Sequence, residues 1–291
     1  MANSIEISHL SKEYSNHVKA LDDVSFSVGS GVYGLLGHNG AGKTTLMKSI
    51  VTILQPTGGS IAVCGFDTRQ HGDQVRSCIG YLPQELGMYP SLSVFDFVSY
   101  IAALKGFHDS GQVKHVLELV DMLQFSKMKI SQLSGGMKRR VGIAQALVGD
   151  PQVLIVDEPT AGLDPEERVR FRGVLSRFAK DGKTILLSTH IIEDVYQLCE
   201  KLAVLRKGHL FFHGSTERLM QQVEGKIKIV KLSSEEQLAG LQSKAVLIST
   251  TYEHKMLFAR IMDEKNSFPE APATATLEDA YVYCMGGKSH E

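Results

Sequence analysis

Short apolar, β-branched runs at Ile5–Ile7, Val24–Val28 and Val32–Leu36 are separated by turn residues and predict strands. The third runs directly into Gly37, and beyond the glycines Lys43–Leu54 carries helical spacing, which sets strand, glycine loop and helix in succession. A mainly helical insertion is expected over residues 88–148, with apolar positions at helical spacing in Val94–Leu104 and Val113–Leu123 and with Ser93 and Ser110 as N-caps. Two uninterrupted apolar runs follow. Val153–Val156 ends in Asp157-Glu158, Thr184–Leu187 ends in Ser188-Thr189-His190, and Pro165–Lys180 between them reads as a helix. Continuous apolar strands alternating with helices predict a parallel sheet covered on both faces, with ligands at the C-terminal strand ends.

From about Ser215 the pattern changes. A helix at Thr216–Val223, strands at Lys226–Leu232, Ala245–Thr251 and Met256–Ile261, a proline-bearing stretch at Phe268–Thr274 and a closing helix at Thr276–Met285 predict a small α+β appendage. Thr276 is placed to cap that last helix, with Glu278 and Asp279 in the first turn, where acids suit the dipole. The expected organisation is an α/β domain over residues 1–215 and an accessory domain over 216–291.

Composition narrows the partners. The chain has 291 residues, 43% hydrophobic and 22% charged, with a formal net charge of -1, so it lacks the basic excess of a dedicated nucleic-acid binder and no nucleic-acid partner is expected. Cys64, Cys78, Cys199 and Cys284 have neither zinc nor redox-motif spacing, which fits a reducing compartment. The N-terminus lacks a secretory pattern, and no apolar run approaches the roughly 18 residues of a membrane span. A cytoplasmic protein is expected, whose membrane-spanning partner, if it energises transport, is a separate polypeptide.

The chemistry begins at Gly37-His38-Asn39-Gly40-Ala41-Gly42-Lys43-Thr44-Thr45, which fits G-x-x-x-x-G-K-[ST]. Backbone N–H groups of such a loop converge on phosphates at a helix N-terminus, Lys43 reaches the β and γ phosphates, and Thr44 ligates Mg2+. The bland alternative, a glycine-rich turn, lacks a reason for the strand before and the helix after. Asp157, at the end of an apolar strand, is placed to hold Mg2+, and Glu158 beside it to polarise the attacking water. Either acid alone could be a helix cap or a solvated group; with Lys43 they read as a hydrolytic site.

Leu133-Ser134-Gly135-Gly136-Met137, just upstream of the acidic strand, resembles the signature motif of ABC ATPases. Physically it is a second anion site, with Ser134 and the amides of Gly135 and Gly136 at a helix N-terminus. The resemblance covers residues 1 to about 215 and implies a P-loop ABC-type ATPase with a mixed, largely parallel sheet, using ATP and Mg2+. It further implies that Gln84 is the Q-loop glutamine, contacting Mg2+ and the attacking water. Ala161-Gly162-Leu163-Asp164 would be the D-loop at a dimer seam, His190 the switch histidine on the γ-phosphate, and Tyr14 an aromatic stacked on adenine. His38 stands where the family usually has proline, at a variable position of the loop. In the family, the signature of one subunit covers ATP held by another, so a head-to-tail dimer is implied, and one chain carrying both half-sites suffices as a homodimer.

The tail, with Thr276-Leu277-Glu278-Asp279-Ala280-Tyr281, is similar to that of subunits paired with ABC-2-type exporters. The expected function is therefore the ATP-hydrolysing subunit that powers a transmembrane permease from the inner face of the cell membrane. An alternative is a soluble ABC ATPase acting on DNA or ribosomes; such proteins usually carry two cassettes or a long coiled-coil insertion, and this chain has neither. A regulatory module without turnover is the third class, and Glu158 argues against it.

Overall fold

Strand β1 (Ile5–Glu13) alternates buried Ile5 and Ile7 with exposed Glu6 and Ser8, the period-two pattern of a sheet with one wet face. It pairs antiparallel with β2 (Lys19–Val28), which leads into β3 (Gly31–Leu36) and helix α1 (Lys43–Ile50). Then come β4 (Gly58–Val63), β5 (Phe66–Asp67), α2 (Gly72–Cys78) and β6 (Ile79–Leu82). The helical segment holds α3 (Val94–Leu104), α4 (Ser110–Leu119) and α5 (Gly135–Leu147), packed on one another. It is followed by β7 (Val153–Asp157), α6 (Pro165–Ala179), β8 (Thr184–Thr189), α7 (Ile192–Leu198), β9 (Lys201–Arg206) and β10 (His209–Ser215). The computed structural model describes residues 4–160, 163–180, 182–232, 235–254, 256–268 and 271–286. Ala161 and Gly162, and Pro269 and Glu270 of the proline-bearing stretch, lie outside them.

The strands form two sheets, ordered β2-β1-β4-β5 and β10-β9-β3-β8-β7-β6. Every residue of β7 and β8 is buried, as their unbroken apolar character requires. Parallel register sets Leu36 of β3 opposite Thr189 of β8, and Asp157 of β7 opposite Ser188 of β8. The C-terminal ends of three strands distant in sequence thus come level at one sheet edge. The core between the sheets is built from Ile5, Leu10, Leu21, Leu46, Met47, Ile155 and Leu186, among others.

Several boundaries differ from the pattern. Asp109, not Ser110, caps α4: its carboxylate accepts the Gly111 N–H at 2.8 Å, and Ser110 is already the first helical residue. That helix ends at Leu119 because Asp121 turns left-handed at φ 54°, although the apolar spacing runs on to Leu123. Likewise α1 stops at Ile50, with Thr52 at φ 64°. No helix among the described residues is long and apolar enough to cross a membrane.

The chain divides into two compact units, Met1–Leu210 and Phe211–Glu291, the break falling within β10. The second unit contains α8 (Thr216–Gln221), β11 (Ile227–Leu232), α9 (Glu235–Gln242), β12 (Val246–Glu253), β13 (Met256–Met262) and α10 (Leu277–Cys284). Its antiparallel sheet is ordered β11-β13-β12, over a small cluster of Leu232, Leu241, Leu257, Ala259 and Ile261.

Asp279 anchors α10 to that sheet. It is fully buried, receives both Nε (2.7 Å) and Nη2 (2.6 Å) of Arg260, and accepts the N–H and hydroxyl of the capping Thr276. Burial pushes its carboxyl up, but the Arg260 and Thr276 hydrogen bonds and the guanidinium charge together hold it below its ordinary value of 3.8. A depressed folded value means stability that is full above 3.8 and is lost as the pH falls through the folded value. Asp279→Asn is expected to cost about 2–3 kcal/mol near neutral pH, less than a fully buried pair because Arg260 keeps part of its surface in water. Thermal unfolding of both proteins checks this, and the gap between them should close in strong acid.

Candidate active site

Leu36 ends β3, and the chain turns through Gly37–Gly42 into α1. Gly42 caps that helix at φ 105°, and a side chain there would lie 2.5 Å from the Ala20 carbonyl oxygen; at Gly37 it would lie 2.6 Å from that of Leu205. Backbone packing against β2 and β9 therefore dictates glycine at both ends of the loop. Asn39–Thr45, Ala20, Gln84 and Glu158 line a pocket of about 410 Å³ above it.

Lys43 is buried, with its ammonium donating to the carbonyls of Gly37 (2.6 Å) and His38 (3.3 Å) and standing 3.6 Å from Glu158 Oε1. The cation is thus held at the floor of a loop whose amides and helix N-terminus favour an anion. The ring of His38 folds back on the loop, Nδ1 being 2.8 Å from Asn39 O. Tyr14 follows β1 in a turn, and its hydroxyl lies 3.2 Å from Thr45 Oγ1 with the ring part-exposed beside the loop.

Asp157 is fully buried. One of its oxygens accepts the Ser188 hydroxyl at 2.5 Å; the other, Oδ2, is buried with no hydrogen-bond partner among the described residues. An orphaned carboxylate oxygen costs free energy unless something completes it. Burial, with the Asp157 charge adding to it, pushes the Tyr81 phenol up to about 12. No three His, Cys, Asp or Glu side chains converge among the described residues. Thr44 and Gln84 line the loop pocket, and the orphaned Asp157 oxygen lies at the end of β7; hard oxygens of this kind suit Mg2+, an ion that completes its shell with waters and phosphate oxygens.

Glu158 adopts φ 45°, a left-handed conformation costing about 1–3 kcal/mol in a non-glycine residue and kept only where surroundings enforce it. Here its N–H is shared between the carbonyl (3.1 Å) and hydroxyl (3.0 Å) of Ser188, and its carbonyl accepts Arg139 Nη2 at 2.7 Å. Its carboxylate faces three groups: Lys43, Gln84 Nε2 at 3.5 Å and His190 Nδ1 at 3.3 Å.

Lys43, Gln84, Glu158 and His190 therefore come together from four parts of the chain. Ser134 and Gly136 do not join them. Ser134 caps α5, its hydroxyl accepting the Met137 N–H at 3.2 Å, and both Ser134 and Gly135 are exposed outside the loop pocket. Asp164 caps α6 through the Glu167 N–H at 2.8 Å. Sequence reasoning gave no role to Ser188, which orders both acids, or to Arg139. A cation among the apolar positions of α5, in register with Gly142, Ile143 and Ala146, was the signal for the latter. It also missed the buried bond from the Thr160 hydroxyl to Asp194, which ties the segment after Glu158 to α7.

The family model described as ABC transporter matches residues 21–161. An uncharacterized ABC transporter ATP-binding protein of Synechocystis is 35% identical over 250 residues, 81% of this chain and 70% of that protein. The Nod factor export ATP-binding protein I of Burkholderia orbicola is 37% identical over 232 residues, 76% of this chain and 74% of that protein. Among solved structures, cbiO1 of Clostridium perfringens, part of the ABC transporter complex cbiONQ, superposes with a TM-score of 0.69 at 29% identity, covering 76% of this chain and 92% of that one.

Proposed function

The chain belongs to the ABC transporter family as an ATP-binding, ATP-hydrolysing subunit, and from that premise we propose that it powers a separately encoded exporter permease. The observation that carries the catalytic part is the meeting of Lys43, Gln84 and His190 around the Glu158 carboxylate, at the wall of the loop pocket. Export is supported by the likeness to the Nod factor export protein.

In this reading ATP lies with its phosphates along Gly37–Thr45 and its adenine against Tyr14. Thr44, Gln84 and Asp157 would hold Mg2+, which supplies charge neutralisation at the phosphate oxygens. Lys43 leaves the loop carbonyls for the β and γ phosphates. Glu158 orients and polarises the attacking water, with Gln84 beside it, and His190 donates to the γ-phosphate as charge develops there. Ser134, Gly135 and Gly136 of a second copy complete the site, a reading supported by the exposure of Ser134 and Gly135 away from the loop pocket of their own chain, and Asp164 sits at the seam. The cassette spans residues 1–215 with its helical insertion over 88–148, and residues 216–291 form an accessory domain. ATP then favours the closed dimer through contacts that hydrolysis removes, a differential affinity that can drive a coupled permease between conformations.

The test is to purify the tagged chain from gently solubilised membranes. An integral membrane protein in stoichiometric yield is the expected companion, placing the chain on the inner face of the membrane. Recovery with ribosomes or DNA alone would transfer it to the soluble, non-transport class.

A further inference from the structure

Arg139 is a buried cation, 8% exposed, on the inward face of α5. Buried guanidinium groups are ordinarily matched by a carboxylate. The Asp157 charge lies near Arg139, but the hydrogen bonds of Arg139 among the described residues run to main-chain carbonyls. Nη1 donates to Gln84 O at 2.9 Å and Pro83 O at 3.4 Å, Nη2 to Glu158 O at 2.7 Å, and Nε to Pro159 O at 2.8 Å. Two of these acceptors belong to the segment bearing Gln84 and two to the segment bearing Glu158. One rigid fork thus spans both.

The consequence is sharpest at Glu158. Its left-handed backbone is gripped on the N–H side by Ser188 and on the carbonyl side by Arg139, so the peptide that aims its carboxylate is fixed from both ends. The same guanidinium fixes the backbone of Gln84, whose side-chain amide faces that carboxylate at 3.5 Å. We propose that Arg139 is a positioning residue for hydrolysis, joining the helix capped by Ser134 to the backbones of Gln84 and Glu158 and so setting where those two side chains meet the attacking water. The proposal rests on the reading of Glu158 as the group that polarises water. A lysine has no planar fork and cannot span both segments; a glutamine amide keeps polarity but lacks the charge and most of the donors.

Steady-state hydrolysis over a range of ATP concentrations, with nucleotide affinity measured separately, tests it on the full chain in R139K, R139Q, E158Q and the double variant R139Q/E158Q. Misplacing a catalytic group by a fraction of an ångström should lower kcat about 10- to 100-fold in R139Q and less in R139K, with KM and nucleotide affinity within about threefold. In the E158Q background, R139Q should change the residual rate little, because it acts through the group already removed. Should R139Q fail to fold, R139K decides: a lowered kcat at unchanged KM supports the role, and a wild-type kcat overturns it. Loss of nucleotide affinity in parallel with kcat also overturns it, since that is what general disruption of the fold would give. E158Q at the wild-type rate would overturn the underlying reading of Glu158, whereas R139Q or R139K at the wild-type rate beside an inactive E158Q would overturn only that of Arg139.

Discussion

Glu158→Gln is expected to bind ATP with affinity within about threefold of wild type while hydrolysing it roughly 10²–10⁴-fold more slowly, the usual contribution of a positioned general base. The amide keeps the size of the carboxylate and can still meet Gln84 and His190, so the left-handed backbone held by Ser188 and Arg139 is undisturbed. What disappears is the negative charge that polarises water. Because ATP then persists, the closed head-to-tail dimer should accumulate, visible by size-exclusion chromatography with ATP and absent with ADP. A variant that turns over ATP undiminished would remove Glu158 from the mechanism.

Lys43→Ala acts earlier in the cycle. In the structure the ammonium bridges the Gly37 and His38 carbonyls and faces Glu158, and no other described residue lining the loop pocket is a lysine or arginine. With ATP bound it is assigned two charge-assisted hydrogen bonds to phosphate, together worth about 3–5 kcal/mol. Affinity should therefore fall about 10²–10⁴-fold, and hydrolysis with it. Titration with a fluorescent ATP analogue measures this directly, and circular dichroism establishes that the fold survives. Unchanged affinity would mean that the loop amides alone hold the phosphates, contrary to the role given to Lys43. The two variants separate the steps, since one spares binding and the other removes it.

The sequence by itself determined the local units. Val32–Leu36, Gly37–Gly42 and Lys43 onward are contiguous, so apolar run, glycine turn and helix follow from short-range rules of periodicity and backbone freedom. Val153–Val156 ending in Asp157-Glu158 was legible for the same reason, as was the cap of α10 at Thr276. Elements with thin apolar patterns escaped, among them α9, whose core-facing side rests on Leu238 and Leu241. Cap choice between Asp109 and Ser110 also escaped, because both types cap helices and only the backbone path selects one.

Only the tertiary structure decided how the site closes. Strand order β3-β8-β7 sets Gly37, His190 and Glu158 at one edge, and no periodicity encodes strand order. The contact of Gln84 with Glu158 spans 74 residues and that of Arg139 with Gln84 spans 55, so neither carries a local signature. The left-handed backbone of Glu158 likewise exists only because Ser188 and Arg139 of neighbouring elements enforce it. Residue types announce which groups can do chemistry; packing alone sets their distances, and chemistry depends on the distances.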